Sequence, residues 1–207
     1  MDFIRTFFDT IYDVPSLVRI GGLIGLIVIV FSETGLLIGF FLPGDSLLIT
    51  AGLFAAKGDF NIVTLNATLI VAAILGDATG YWIGRRMGQA LYNRPDSVLF
   101  RKEHLRFTHE FYERHGGKTI ILARFVPIVR TYAPFVAGIG AMPYLRYLAF
   151  CIAGAILWVG SLCTVGYFFG NIPVVKNNLT VVILVIVFLS ISPGLVAWAR
   201  ARLQRQG

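Results

Sequence analysis

Charge is scarce in this chain. Of 207 residues only 14% are Asp, Glu, Lys or Arg and 57% are hydrophobic, where soluble domains carry about 25% charged residues. That balance excludes an ordinary soluble domain. Long apolar runs separated by short polar connections leave room for one polytopic membrane domain and no second soluble one. Cysteine is nearly absent. Cys151 and Cys163 lie twelve residues apart in one apolar run, about 18 Å along a helix at ~1.5 Å per residue, too far to bridge. They read as small core residues. The three histidines, His104, His109 and His115, are spaced by five and six and miss the i, i+4 geometry of a helical metal pair, so no metal and no cofactor are expected. The embedded segments contain no histidine, nucleophile elbow or metal-ligand cluster, and an enzyme is not expected. The N-terminus carries acidic residues where a secretory signal has basic ones, with no small-residue cleavage site after it, and is expected to stay attached.

Acidic residues are the rarer charge, 11 against 18 basic, for a net charge of +7. In a soluble protein that surplus would raise the question of nucleic acid. Its location argues otherwise. Arg85, Arg86, Arg94, Arg101, Lys102, Arg106, Arg114 and Lys118 share one connection, and Arg200, Arg202 and Arg205 follow the last apolar run. The positive-inside rule places such patches in the cytoplasm, beside anionic inner-leaflet lipid.

Taken in order, residues 1–15 put Phe3, Ile4, Phe7, Phe8, Ile11 and Tyr12 on one helical face with Asp2, Arg5, Asp9 and Asp13 opposite, the pattern of an interfacial amphipathic helix. Pro15 and Ser16 break it. Residues 17–32 supply a first, rather short span, which Glu33 closes. The apolar pieces Thr34–Gly44 and Ser46–Ala56 have eleven residues each, and neither can cross a bilayer at about 20 residues per span. With the turn signal Pro43-Gly44 between them, residues 33–57 read as a re-entrant hairpin with Asp45 near its tip. Residues 60–84 form a span, interrupted by Asp77, whose Gly76, Gly80, Gly84 and Gly88 make a small-residue face for close helix approach. Residues 85–118 are the basic cytoplasmic connection. Residues 119–142, broken by Pro127 and Pro134, form a second hairpin, and 144–170 and 178–199 two further spans. Both termini are then cytoplasmic.

An internal repeat runs through this layout. Ala51-Gly52 matches Ala137-Gly138 and GYWIG at Gly80–Gly84 matches GYFFG at Gly166–Gly170, each 86 residues apart. One full crossing separates the copies, so they have opposite orientations. The expected fold is therefore an all-α membrane protein with about four transmembrane helices and two opposed re-entrant hairpins in an inverted repeat. Paired, Pro/Gly-interrupted short segments of this kind point to a transporter's midplane site.

Five charges need explaining: Glu33, Asp45, Asp77, Arg124 and Arg130. Insertion costs of about 2.5 to 3.5 kcal/mol each require pairing or hydration. A structural explanation stays open for each. Asp45 fits an N-cap for the second arm of the hairpin, Arg124 lies close enough to Lys118 to snorkel, and Asp77 could accept hydrogen bonds from a neighbouring span. The functional explanation sets the acidic hairpin tip against the arginine-bearing one. Arg124 and Arg130 offer forked donors suited to phosphate, helix starts after Gly44 and Pro134 add backbone N–H groups, and Glu33 and Asp45 neutralise the arginines until phosphate displaces them. Asp77 is a secondary candidate. Arg130, nearer the tip, is the stronger candidate for a phosphate ligand, and Arg124 the one nearer the cytoplasmic entrance.

The signature E33TGLLIGFFLPGD45 with a following AG, then GYWIGRRMG, then R124FVPIVR130 with a following AGIGAM and GAILW resembles the DedA family, the bacterial branch of the VTT-domain membrane proteins. The resemblance covers roughly residues 25 to 198, and Cys151 is a departure where family members are expected to carry Asn. It implies two opposed re-entrant hairpins, a bacterial inner-membrane location, and transport of lipid-linked phosphates, notably undecaprenyl phosphate, driven by proton motive force. It also implies that Glu33, Asp45, Arg124 and Arg130 are the essential charged positions. The leading expectation is a flippase for undecaprenyl phosphate or a related anionic lipid, with the lipid phosphate headgroup and protons as its partners. The alternative is a proton-coupled exporter of small cations or cationic drugs using Glu33, Asp45 and Asp77, against which two arginines beside the site argue.

Overall fold

The computed structural model describes residues 14–36, 44–92, 117–173 and 175. Among these residues there are six helices and no strand: α1 Val14–Gly35, α2 Gly44–Lys57, α3 Ile62–Tyr92, α4 Lys118–Ala123, α5 Pro127–Ile139 and α6 Tyr144–Gly170. The interfacial helix (apart from residues 14 and 15, which open α1), Pro43, the histidine-bearing connection and the last span all lie outside the described residues. The described residues divide into two compact units. The first holds those through Leu26, from Gly44 to Leu65, and from Leu162 on; the second holds those from Ile27 to Leu36 and from Asn66 to Ser161.

In the first unit, α2 has 14 residues, about 21 Å of helix, too short for a hydrocarbon core of roughly 30 Å. It opens at Gly44 with Asp45 in its first turn, where a carboxylate complements the positive end of the helix dipole. It ends at Lys57. There Gly58 takes φ +96°, and its N–H and that of Asp59 return to the carbonyls of Ala55 and Phe54, a left-handed stop that suits glycine. Asn61 then caps α3, its Oδ1 accepting from the N–H groups of Val63 at 2.9 Å and Thr64 at 3.2 Å. α2 is buried nearly all round, with Leu47, Leu48, Ala51 and Leu53 fully covered, and its backbone meets the C-terminal part of α6. A Cβ on Gly52 would overlap the carbonyl oxygen of Cys163, and one on Gly166 the carbonyl oxygen of Ile49.

In the second unit, α5 lies against α3 by the same device. A Cβ on Gly138 would overlap the Tyr81 carbonyl oxygen, and one on Gly84 the Phe135 carbonyl oxygen. Gly76 and Gly35 likewise let α3 and the Ile27–Gly35 part of α1 touch backbone to backbone. The glycine face read from the sequence is thus occupied on both sides. An aromatic stack joins α3 to α6, with the Tyr81 and Tyr147 rings 4.7 Å apart. The Tyr81 hydroxyl donates to the Met142 carbonyl at 2.5 Å and accepts from Arg85 Nη1 at 3.0 Å.

Three expected boundaries change. α1 does not close at Ser32: it runs to Gly35, so Glu33 is a helical residue, and it kinks at Gly22, whose φ of +52° only glycine adopts without strain. α3 continues past Gly84 to Tyr92, because Arg85 to Tyr92 keep a helix-favouring sequence without proline or a cap. Pro134 does not break the second hairpin. It sits inside α5, its ring against the side-chain-free surface of Gly80, and no helix begins after it. The break falls at Arg124–Val126. Pro127 forces Val126 into extended conformation (φ −113°, ψ 107°), because a residue before proline is crowded out of the helical region; α5 then starts with proline in its first turn, where its missing N–H costs nothing.

Two of these helices, α6 and the Ile62–Gln89 portion of α3, are long and apolar enough to cross a bilayer. Their outer faces carry exposed Val71, Leu75, Trp82, Ile152, Ile156, Leu157 and Phe168, while Glu33, Asp77, Arg124 and Arg130 are buried. Apolar outside and charged inside is the arrangement a lipid solvent selects. The chain is an all-α membrane protein.

Candidate functional site

Arg124 and Arg130 both lie in the second unit, and both are paired. Arg130 sits in the first turn of α5, 5% exposed, and its Nη2 donates to Oε1 of Glu33 at 2.5 Å; Glu33 is 1% exposed. The guanidinium carbon stands over the Trp158 ring on α6, 4.2 Å from its centroid, a cation–π contact. A hydroxyl one residue on from Glu33 anchors this end of α1. Thr34 Oγ1 lies 3.0 Å from the Val30 carbonyl oxygen and 3.3 Å from that of Ala73 on α3.

Arg124 occupies the break before α5 and is 3% exposed. Its Nη2 donates to Oδ2 of Asp77, on α3. Cys151, on α6, closes the group: its carbonyl oxygen and its Sγ each lie 3.3 Å from that same Nη2, and its thiol donates to Asp77 Oδ2 at 2.8 Å. The Tyr147 hydroxyl donates to the Asp77 backbone carbonyl at 3.1 Å. The guanidinium stem passes over Gly154, where a Cβ would come within 2.7 Å of Arg124 Cδ. Arg124 Nε and Nη1 have no hydrogen-bond partner among the described residues.

The pairing departs from expectation in two ways. The Glu33–Asp45 stretch was expected to neutralise both arginines. Glu33 does so for Arg130, but the partner of Arg124 is Asp77. Asp45 belongs to the first unit, half-buried at the start of α2. Of the hairpin-breaking residues, Gly44 starts α2 and Pro127 starts α5, while Pro134 does neither. Cys151 is a buried, free core residue as expected, and it also contacts both members of an ion pair. Trp158 and Tyr147 were not singled out at all. The available signal is the seven-residue interval from Cys151 to Trp158, which returns to the same helix face after two turns.

Buried ion pairs of this kind do not by themselves stabilise a fold, since desolvation offsets their attraction. The site can present fixed positive charge to a phosphate, with a carboxylate beside each arginine to hold it in the meantime. Among the described residues no group of three or more metal-ligating side chains occurs.

Residues 42–168 match the VTT domain. The chain is similar to Protein DedA of Escherichia coli (strain K12), with 52% identity over 83% of this chain and 79% of that protein. It is similar to an uncharacterized membrane protein of Mycobacterium leprae (strain TN), with 49% identity over 83% of this chain and 77% of that one. Inner membrane protein YqjA of Escherichia coli (strain K12) is 36% identical over 72% of this chain and 68% of its own length. No solved structure matches.

Proposed function

The chain belongs to the DedA family of VTT-domain membrane proteins, and from that premise we propose that it is a flippase for undecaprenyl phosphate or a related anionic lipid in the bacterial inner membrane. The observation that carries the reading is the pair of buried arginine–carboxylate contacts, Arg130 with Glu33 and Arg124 with Asp77. Phosphate is the ligand for which a desolvated guanidinium is suited, and the lipid tail stays in the bilayer while the headgroup passes. The proton motive force enters through the carboxylates, which take up protons as phosphate takes their arginines. Asp45 is the remaining acidic participant. The proposal has both termini on the cytoplasmic side, which the basic clusters support through the positive-inside rule, and it includes no catalytic step.

The inverted repeat belongs to this proposal. What supports it is the correspondence of glycine contacts under the 86-residue offset: Gly52 against Cys163 and Tyr167 in one unit, Gly138 against Tyr81 and Arg85 in the other, with Tyr81 and Tyr167 themselves 86 apart. A matching short helix lies in each, α2 and α5, and each reads as the inner arm of a re-entrant hairpin.

A cation exporter would need carboxylates open to its substrate, whereas Glu33 and Asp77 each hold an arginine. The test is lipid translocation in proteoliposomes with and without a pH gradient. Purified protein accelerates translocation of polyprenyl phosphate and Arg130→Ala abolishes it. Rates equal to those of empty vesicles refute the proposal, and cation uptake that survives loss of both arginines favours the exporter.

A further inference from the structure

We propose that Asp77 is the counter-ion an incoming phosphate has to displace from Arg124, and that Cys151 holds Asp77 in place for that exchange. The inference rests on Arg124 binding the headgroup and adds the residues that set its affinity there.

Three observations converge on it. Arg124 is 3% exposed, yet only Nη2 is engaged; Nε and Nη1 have no hydrogen-bond partner among the described residues. A buried, unpartnered donor is costly, and here two occur on one cation whose remaining nitrogen is tied to a carboxylate. Second, three acceptors crowd that one nitrogen, Asp77 Oδ2, the Cys151 carbonyl and Cys151 Sγ, so the guanidinium is anchored at one corner with its other donors directed elsewhere. Third, the Arg124 stem packs directly on Gly154, where a Cβ would come within 2.7 Å of Cδ and 2.8 Å of Nε, so α6 fixes the position of the guanidinium. The other arginine is built differently: a carboxylate on α1 and an indole face on α6 hold Arg130. These features make Arg124 the receiving station, in keeping with its expected place nearer the cytoplasmic entrance.

The exchange is a competition between two anions for one cation. A phosphate oxygen accepts first from Nη1, then displaces Asp77 from the neighbouring Nη2, and on release Asp77 returns. The Cys151 thiol, donating to Asp77 Oδ2 at 2.8 Å, keeps the carboxylate within reach of Nη2. Asp77 therefore weakens binding and speeds release, which makes it a positioning residue for transport.

The test uses the full chain, purified in detergent, with dodecyl phosphate as the probe and calorimetric titration as the assay. Asp77→Asn removes the competitor and is expected to bind about 10-fold more tightly than the wild type. Cys151→Ala leaves every charge in place and loosens Asp77, so its affinity is expected to rise about 2- to 5-fold. In proteoliposomes, Asp77→Asn lowers both the half-saturating lipid concentration and the maximal rate, a combination that loss of a merely structural contact does not produce. Equal or weaker affinity in folded Asp77→Asn overturns the inference; should that variant fail to fold, equal or weaker affinity in Cys151→Ala does so. Failure of the wild type to bind dodecyl phosphate at all overturns the functional reading itself, a separate result.

Discussion

Replacing Glu33 with glutamine removes the carboxylate from Arg130 while keeping its size. At 2.5 Å and an effective dielectric near 20, the attraction lost is about 7 kcal/mol, set against several kcal/mol of desolvation that each buried ion has already cost. The single variant keeps the cost on the arginine, 5% exposed, and loses the compensation. Breaking a buried pair from one side is worth about 3–5 kcal/mol, which for a chain of this size is a fall of about 6–20 °C in Tm at ~2–4 °C per kcal/mol. The double variant Glu33→Met/Arg130→Met removes both charges and places apolar chains at both positions, one of them on Trp158. It is expected within about 2 kcal/mol of the wild type, because a pair exchanged for packed apolar groups is close to neutral. Thermal unfolding of the purified variants in one detergent reads both numbers. A Glu33→Gln cost under about 1 kcal/mol, the range of exposed pairs, refutes the burial argument. The double variant also separates stability from use, since it should fold and fail to translocate lipid.

Gly52→Ala and Gly138→Ala each drive a methyl into a facing carbonyl oxygen and should cost about 1–3 kcal/mol as overpacking. Gly160→Ala meets nothing within 4 Å and should be neutral or stabilising by up to about 1 kcal/mol in the same thermal assay. Trp158→Leu removes the face under Arg130 and should lose about 0.5–2 kcal/mol of Arg130 stabilisation, measurable as a smaller coupling in a double-mutant cycle with Arg130→Met. Pro134→Ala restores an N–H to the interior of α5 and should raise stability by up to about 3 kcal/mol; a fall of more than 1 kcal/mol would mean that the ring against Gly80 outweighs the hydrogen bond.

The cost of Arg124 and Arg130 was legible in the sequence, because an arginine in an apolar run is expensive wherever it lands. The glycine face of α3 was legible for a similar reason, since i, i+4 spacing alone sets a shared face. The pairing was not. Glu33 and Arg130 are 97 positions apart, and Asp77 and Arg124 are 47 apart; no periodicity on either segment chooses between carboxylates. Pro134 shows the opposite difficulty: propensity predicts a break there, while tertiary packing on Gly80 lets the helix pass and Pro127 sets the break seven residues earlier. Cys151 escaped because a thiol in an apolar span carries the same local signature whether it fills space or donates a hydrogen bond.

Cys151 and Trp158 stand seven residues apart on α6, about 10.5 Å along its axis at 1.5 Å per residue. Each grips one arginine. A rotation of that single helix therefore turns both contacts in the same sense, and a slide along its axis moves both by the same distance. The two guanidinium groups are thus coupled without touching each other, because the interval between the side chains that hold them is fixed along one rigid rod.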